Sequence, residues 1–102
     1  MAQRLRIYQI DENGPLRPLI FRNYVDFQKA GYQKLPRNGY KLVYDGELGS
    51  SNLESIFATF NCNLPEGYIG RSMAASDVIG ICGENTDQYF FCDMIGFTKI
   101  DF

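Results

Sequence analysis

The sequence predicts an α+β fold: a single, mostly antiparallel sheet of about five strands with two short helices packed on one face. Three observations predict it. Short runs at 4–10, 40–45, 77–82, 88–95 and 97–102 either alternate or are apolar throughout, as strands do. The run 52–61 carries apolar residues at helical spacing. The last strands follow one another with only turn residues between them, which favours antiparallel pairing over the crossover helices a parallel sheet needs.

The first strand is RLRIYQI at 4–10, with Leu5 and Ile7 on one face and Arg4, Arg6 and Tyr8 on the other. Asp11-Glu12-Asn13-Gly14-Pro15 ends it as a turn, because Asn-Gly suits positive φ and Pro15 has no N–H for a ladder. Asn23 is placed to cap a short helix over 24–30, with Asp26 near its positive end and Gly31 as the residue that stops it. Tyr24 and Phe27 face inward. After the Pro36–Gly39 turn, Tyr40 to Asp45 forms a strand that Gly46 ends.

Ser51-Asn52-Leu53-Glu54 reads as a capping box, with the Ser51 hydroxyl and the Glu54 side chain each serving the other's backbone N–H. Leu53, Ile56, Phe57 and Phe60 then form one apolar stripe. Residues 61–71, with a proline and two glycines, form a loop. The strands at 77–82 and 88–95 are joined by a hairpin loop at 83–87. Both are apolar on both faces, which places them near the sheet centre.

At 102 residues, 45% hydrophobic and 15% aromatic, the chain reads as one domain, 1–102, able to build a core without staples. No stretch approaches the roughly 20 apolar residues of a membrane span. The opening MAQRLRIYQI lacks the apolar run of a signal peptide. Cys62, Cys82 and Cys92 are odd in number and loosely spaced, which suits a reducing compartment, and Cys82 and Cys92 read as small core residues. A soluble, cytoplasmic chain is expected.

Histidine is absent, which removes the commonest general base and metal ligand. The chain has no Gly-x-x-x-x-Gly-Lys, CxxC or HExxH. No catalytic residue, metal or cofactor is expected, and the chain reads as a non-enzyme. Asp77, Glu84, Asp87 and Asp93 are expected to lie near the last hairpin as ordinary turn carboxylates. Asp77 stands apart: it opens an apolar strand after a Ser-rich turn, where a carboxylate accepts local N–H bonds.

Charge is segregated along the chain. Residues 1–41 carry eight basic groups against three acidic, and residues 42–102 carry two against nine, within a net charge of -2. Such asymmetry steers partners if it survives folding, and cancels if the two halves interleave.

The C-terminal third resembles a known family. Arg71-Ser72-Met73-Ala74-Ala75-Ser76-Asp77-Val78-Ile79 and Gln88-Tyr89-Phe90-Phe91-Cys92-Asp93-Met94-Ile95-Gly96-Phe97 are similar to the S-x-x-x-S-D-V-[IV] and Y-[YF]-x-D-x-x-G-F pattern of YodL-like domains. The opening R-L-x-I-Y-Q strand, Phe21-Arg22-Asn23-Tyr24, Tyr40 to Tyr44 and Leu53 to Phe57 agree as well, so the resemblance spans nearly the whole chain. Cys92 and Met94 depart from the residues other members often carry, as packing variations. The resemblance implies a setting in Gram-positive bacteria, on conjugative elements and phages, alone or inside large multidomain proteins, and it implies no shared catalysis. Such elements also carry small inhibitors of host defence, anti-CRISPR proteins among them, and a chain of this size is similar in style.

The expected function is therefore a non-catalytic protein-binding module. Its expected partner is a host defence nuclease, a type II CRISPR effector or its guide-RNA assembly. An interface needs roughly 800 Å² per partner, and Tyr and Arg are favoured anchors. The candidate contacts are Arg4, Arg6, Tyr8, Arg22, Tyr32, Tyr40, Tyr44 and Tyr68. Glu84 and Asp87 join them from the acidic half, which is able to imitate phosphates in a basic channel. A second reading is a bacterial regulatory protein that binds a cytoskeletal or cell-envelope factor. A third is a nucleic-acid-binding accessory domain using Arg4, Arg6 and Tyr8, with Arg17, Arg22 and Arg37, as a phosphate and stacking platform.

Overall fold

The computed structural model describes residues 3–48, 52–62, 67–83 and 85–102. The elements run β1 (Gln3–Ile10), α1 (Tyr24–Lys29), β2 (Tyr40–Leu48), α2 (Leu53–Cys62), β3 (Val78–Ile81), β4 (Gln88–Cys92) and β5 (Phe97–Ile100), with single 3-10 turns at Arg17–Leu19 and Arg37–Gly39. The five strands form one sheet in the order β2-β1-β3-β4-β5, and every neighbouring pair is antiparallel. The α+β class and the strand count are as the sequence predicts.

The placement of the helices differs from the expectation. Side chains alternate across a strand, and the buried apolar residues divide accordingly into two clusters. One holds Leu5, Ile7, Tyr44, Ile79 and Cys92 with Ile56 and Phe60 of α2. The other holds Tyr8, Ile10, Val78 and Phe91 with Phe27 of α1. Neighbouring residues of β1, β3 and β4 thus fall into different clusters, so the two helices cover opposite faces of the sheet and not one. This is why β3 and β4 are apolar on both sides.

The α2 face is regular. Asn52 caps the helix: its Oδ1 accepts the Ser55 N–H (3.1 Å) and its carbonyl accepts the Ile56 N–H (2.9 Å). The Ser51 half of the expected capping box lies outside the described residues. Ile56 and Phe60 are buried, and Phe60 meets the Tyr44 ring edge-on at 5.0 Å between centroids. The α1 face is irregular. The helix has only six residues, so loop residues Leu16 and Leu35 and the C-terminal Phe102 complete the cover.

Two strand boundaries move. β2 continues through Gly46, which pairs with Leu5. A Cβ at Gly46 would lie 2.6 Å from the Tyr44 hydroxyl, so the glycine makes room for that ring within the strand. β4 stops at Cys92 because Asp93 is drawn off to other partners, and Met94 and Ile95 belong to a turn.

Candidate functional site

The register of β1 puts Gln9 on the face of Leu5 and Ile7, and it is fully buried there together with Asp77 at the start of β3. The two side chains form a polar knot. Gln9 Nε2 lies 2.9 Å from the Tyr68 hydroxyl, 2.9 Å from the Arg71 carbonyl and 3.0 Å from Asp77 Oδ2. Gln9 Oε1 accepts the Arg71 N–H (3.1 Å), and the Tyr68 hydroxyl donates to the Arg71 carbonyl. Gly70 allows this close approach, since a Cβ there would run into Gln9 Oε1 and Val43.

Asp77 accepts from Ala74 N–H (2.9 Å) and from Arg71 Nη2 (3.0 Å) besides Gln9. The expected local N–H bond is therefore present, and two side chains join it. Burial pushes the Asp77 carboxyl up to about 7, although the Arg71 guanidinium, the Ala74 N–H and the Gln9 amide each pull it down. The knot extends through the backbone. Ser76 and Asp77 exchange bonds with Cys92, and the Tyr40 hydroxyl donates to the Ser76 carbonyl (2.7 Å). The buried Tyr40 phenol and Cys92 thiol are both pushed to higher pKa by desolvation, so neither is a ready nucleophile.

Part of Arg71 faces outward. Its guanidinium lies 5.1 Å from the centre of the Phe21 ring. Beside it is a cavity of 350 Å³ lined by Glu12, Asn13, Arg17, Ile20, Phe21 and Arg71.

A second feature lies where β4 turns into β5. Asp93 Oδ1 accepts the Tyr24 N–H (2.8 Å) at the start of α1, and Asn23 Oδ1 returns the favour by accepting the Met94 N–H (2.7 Å). Asp93 Oδ2 accepts from Thr98, and Asp93 N–H donates to the Gly96 carbonyl. The turn is thus pinned to the helix, and it holds Met94 and Ile95 out into solvent at 73% and 94% exposure beside Val25 at 49%. The expected cap at Asn23 is present, with its N–H bonded to Asp26 (3.1 Å), while its side chain holds the turn.

The residues expected to form a contact surface do not gather on one. Tyr8, Tyr40 and Tyr44 are buried, and their rings pack on Phe102, Phe102 and Phe60. Tyr68 belongs to the knot, and Tyr32 is half-buried against Phe27. Arg22 is exposed. Arg4 and Arg6 pair with Asp45 (2.9 and 3.4 Å), and Arg6 also reaches Asp87 (3.8 Å). Basic and acidic halves of the chain therefore interleave at this end of the sheet. Tyr8 is buried and both arginines face carboxylates, so the stacking ring expected of a β1 platform is not on the surface. Arg37 is held as well, over the rings of Tyr8, Tyr89 and Phe102. Glu84 lies outside the described residues.

Asp77, Asp87 and Asp93 each serve a different partner, and among the described residues no group of three or more Cys, Asp or Glu side chains is arranged to hold a metal ion. No helix among those residues is long and apolar enough to cross a membrane. Gln9, Phe21, Arg71, Met94 and Ile95 were not singled out by sequence reasoning. Gln9 alone carried a local signal, a polar residue in the inward register of an alternating strand.

Compared with known families, the chain matches the model described as the YodL-like domain over residues 4–102. No curated protein and no solved structure matches it.

Proposed function

Since the chain belongs to the YodL-like domain family, whose pattern its strands and turns carry, we propose that it is a non-catalytic protein-binding module of the bacterial cytoplasm that inhibits a host defence nuclease. In this reading it acts in the manner of an anti-CRISPR protein, on a type II effector or its guide-RNA assembly. The observation that supports binding is the pinned apolar turn. Met94, Ile95 and Val25 stand in solvent and line a groove of 620 Å³ together with Tyr24 and Thr98. Large apolar side chains grouped on a surface mark interaction sites. Here four hydrogen bonds centred on Asn23 and Asp93 fix the group before any partner arrives, so little ordering entropy is lost on binding. The nuclease as target rests on the genetic setting that the family resemblance implies, which is analogy and not site chemistry.

The test is a DNA-cleavage assay with a purified type II effector loaded with guide RNA. The wild-type chain is expected to suppress cleavage. The double variant Met94→Asp/Ile95→Asp, folded by circular dichroism, is expected to need at least tenfold more protein, about 1.4 kcal/mol of binding free energy. Unchanged cleavage with the wild-type chain refutes the inhibitor reading. Capture of a cytoskeletal or envelope factor that depends on the same two side chains would put the regulatory reading in its place.

A further inference from the structure

The cleft beside Arg71 has a chemistry of its own, independent of the apolar turn. Arg71 uses Nη2 to hold Asp77, but its Nε and Nη1 are buried with no hydrogen-bond partner among the described residues. A buried guanidinium that leaves N–H groups unpaired is costly, and such groups are normally satisfied. Arg71 is one of the residues that line the cavity, and its two unpaired nitrogens lie just beneath the surface. A second guanidinium, Arg17, lines it too and has no ion-pair partner among the described residues.

Phe21 closes one side. Its φ is +69°, a left-handed conformation that is rare for a bulky residue and gathers at functional positions. The strain is held in place from behind, since the Phe21 N–H donates to Ser76 Oγ (3.1 Å) and Ser76 itself has φ +82°. The result is a ring with one face over the Arg71 guanidinium and 55% of its surface still exposed. The core does not use this ring, because Phe21 belongs to neither buried cluster.

We infer that the cleft formed by Arg17, Phe21 and Arg71 binds a small oxyanion carried on a flat ring, the anion facing the two guanidinium groups and the ring lying against Phe21. Guanidinium groups suit carboxylate and phosphate oxygens alike. The cavity volume of 350 Å³ falls within the range of small-ligand sites. Glu12 and Asn13 at the rim offer acceptors for hydroxyl or amino groups, and the Glu12 charge disfavours a multiply charged polyphosphate. The anion therefore comes from one of two sources, the phosphate of a nucleoside monophosphate or the carboxylate of an aromatic acid.

The experiment titrates the full-length chain with inorganic phosphate, with adenosine monophosphate and with benzoate, following the arginine Nε–H resonances by NMR and the thermal midpoint. Saturable shifts of the Arg71 Nε–H signal are expected with at least one ring-bearing anion, at tenfold or more lower concentration than with phosphate. Which of the two binds tighter identifies the source. Arg71 is too closely tied to Asp77 to be a clean variant, so the decisive changes are Arg17→Ala and Phe21→Gly. Arg17→Ala should weaken every anion that binds by about fivefold or more. Phe21→Gly fits the left-handed backbone and should keep or raise the thermal midpoint while weakening the ring-bearing anion at least tenfold. Three results overturn the inference: no saturable shift with any of the three anions up to tens of millimolar; binding unchanged in both variants; or phosphate binding as tightly as the ring-bearing anions. Met94→Asp/Ile95→Asp should leave this binding intact, so failure here and failure of the docking turn are told apart.

Discussion

Arginine meets aspartate in two places in this chain, and the surroundings differ. Arg71 and Asp77 meet beneath the surface, where Asp77 is wholly buried and three donors converge on its carboxylate. Arg4 and Arg6 meet Asp45 and Asp87 on the open end of the sheet, where every partner keeps about a third or more of its side chain in water. The first arrangement has no alternative to its own partners. The second trades protein partners for water at almost no cost. The same pair of residue types therefore fixes structure in one place and merely balances charge in the other.

The largest break in that comparison is Asp77→Ala. It leaves the Arg71 guanidinium, the Gln9 amide and the Ala74 N–H without their shared acceptor. At pH 8, above the folded-state value of about 7, the carboxyl is ionised, and removing one partner of such a buried pair costs about 3–5 kcal/mol, a large part of the stability of a domain this size. Urea unfolding should show the midpoint falling sharply or the transition lost. A drop below about 1 kcal/mol would mean that the knot is not the anchor of the β1–β3 junction.

The pH dependence sharpens the comparison. An unfolded aspartate titrates near 3.9, and burial raises Asp77 to about 7 in the folded chain. Between those values the folded chain holds a proton that the unfolded chain has released, so stability from this group is complete below about pH 4 and falls as pH rises through about 7. Other carboxylates titrate alongside it, so the readout is the difference in unfolding midpoint between wild type and Asp77→Asn. That difference should move against the wild type from pH 5 to pH 8. A difference independent of pH would mean that the three donors hold Asp77 ionised throughout.

How far these features were legible follows from what a local pattern encodes. The α2 helix was legible because Leu53, Ile56, Phe57 and Phe60 recur at its period; its cap is Asn52, one residue after the Ser51 the sequence suggests. The strands were legible because Leu5/Ile7 and Phe97–Ile100 alternate. The two-sided cover of β3 and β4 was also written in their continuous apolar runs. The expectation of a single covered face misses it, because six-residue α1 supplies one fully buried side chain, Phe27, and the rest of its layer comes from loop residues with no period. Of the knot's buried pair, only Asp77 is singled out from the sequence, although Gln9 also stands in the inward register of β1. The cleft does not show locally, because Phe21 and Arg71 come from separate loops and meet only through tertiary packing. The burial of Tyr8, Tyr40 and Tyr44, named as contacts from the sequence, has a related reason: they occupy strand positions that both covered faces draw inward.

The smallest effect is expected at the open end of the sheet. Asp45→Asn removes the shared partner of Arg4 and Arg6 while keeping a side chain of the same shape. With the pairs half in water, the loss should be roughly 0.2–1 kcal/mol, and it should shrink further in about 0.5 M salt, where exposed charges are screened. Neither arginine is left buried by the change, so no orphaned charge adds to the cost. The variant also removes the carboxylate that Arg4 and Arg6 share on β1, while Arg6 keeps its longer contact with Asp87 (3.8 Å). If Asp45 is what shields this strand from phosphates, Asp45→Asn should bind single-stranded DNA more tightly than the wild type, with a strong salt dependence. If the buried Tyr8 also matters, since it leaves no ring for bases to stack on, the variant should bind no better than the wild type, and fluorescence anisotropy with a labelled oligonucleotide separates the two.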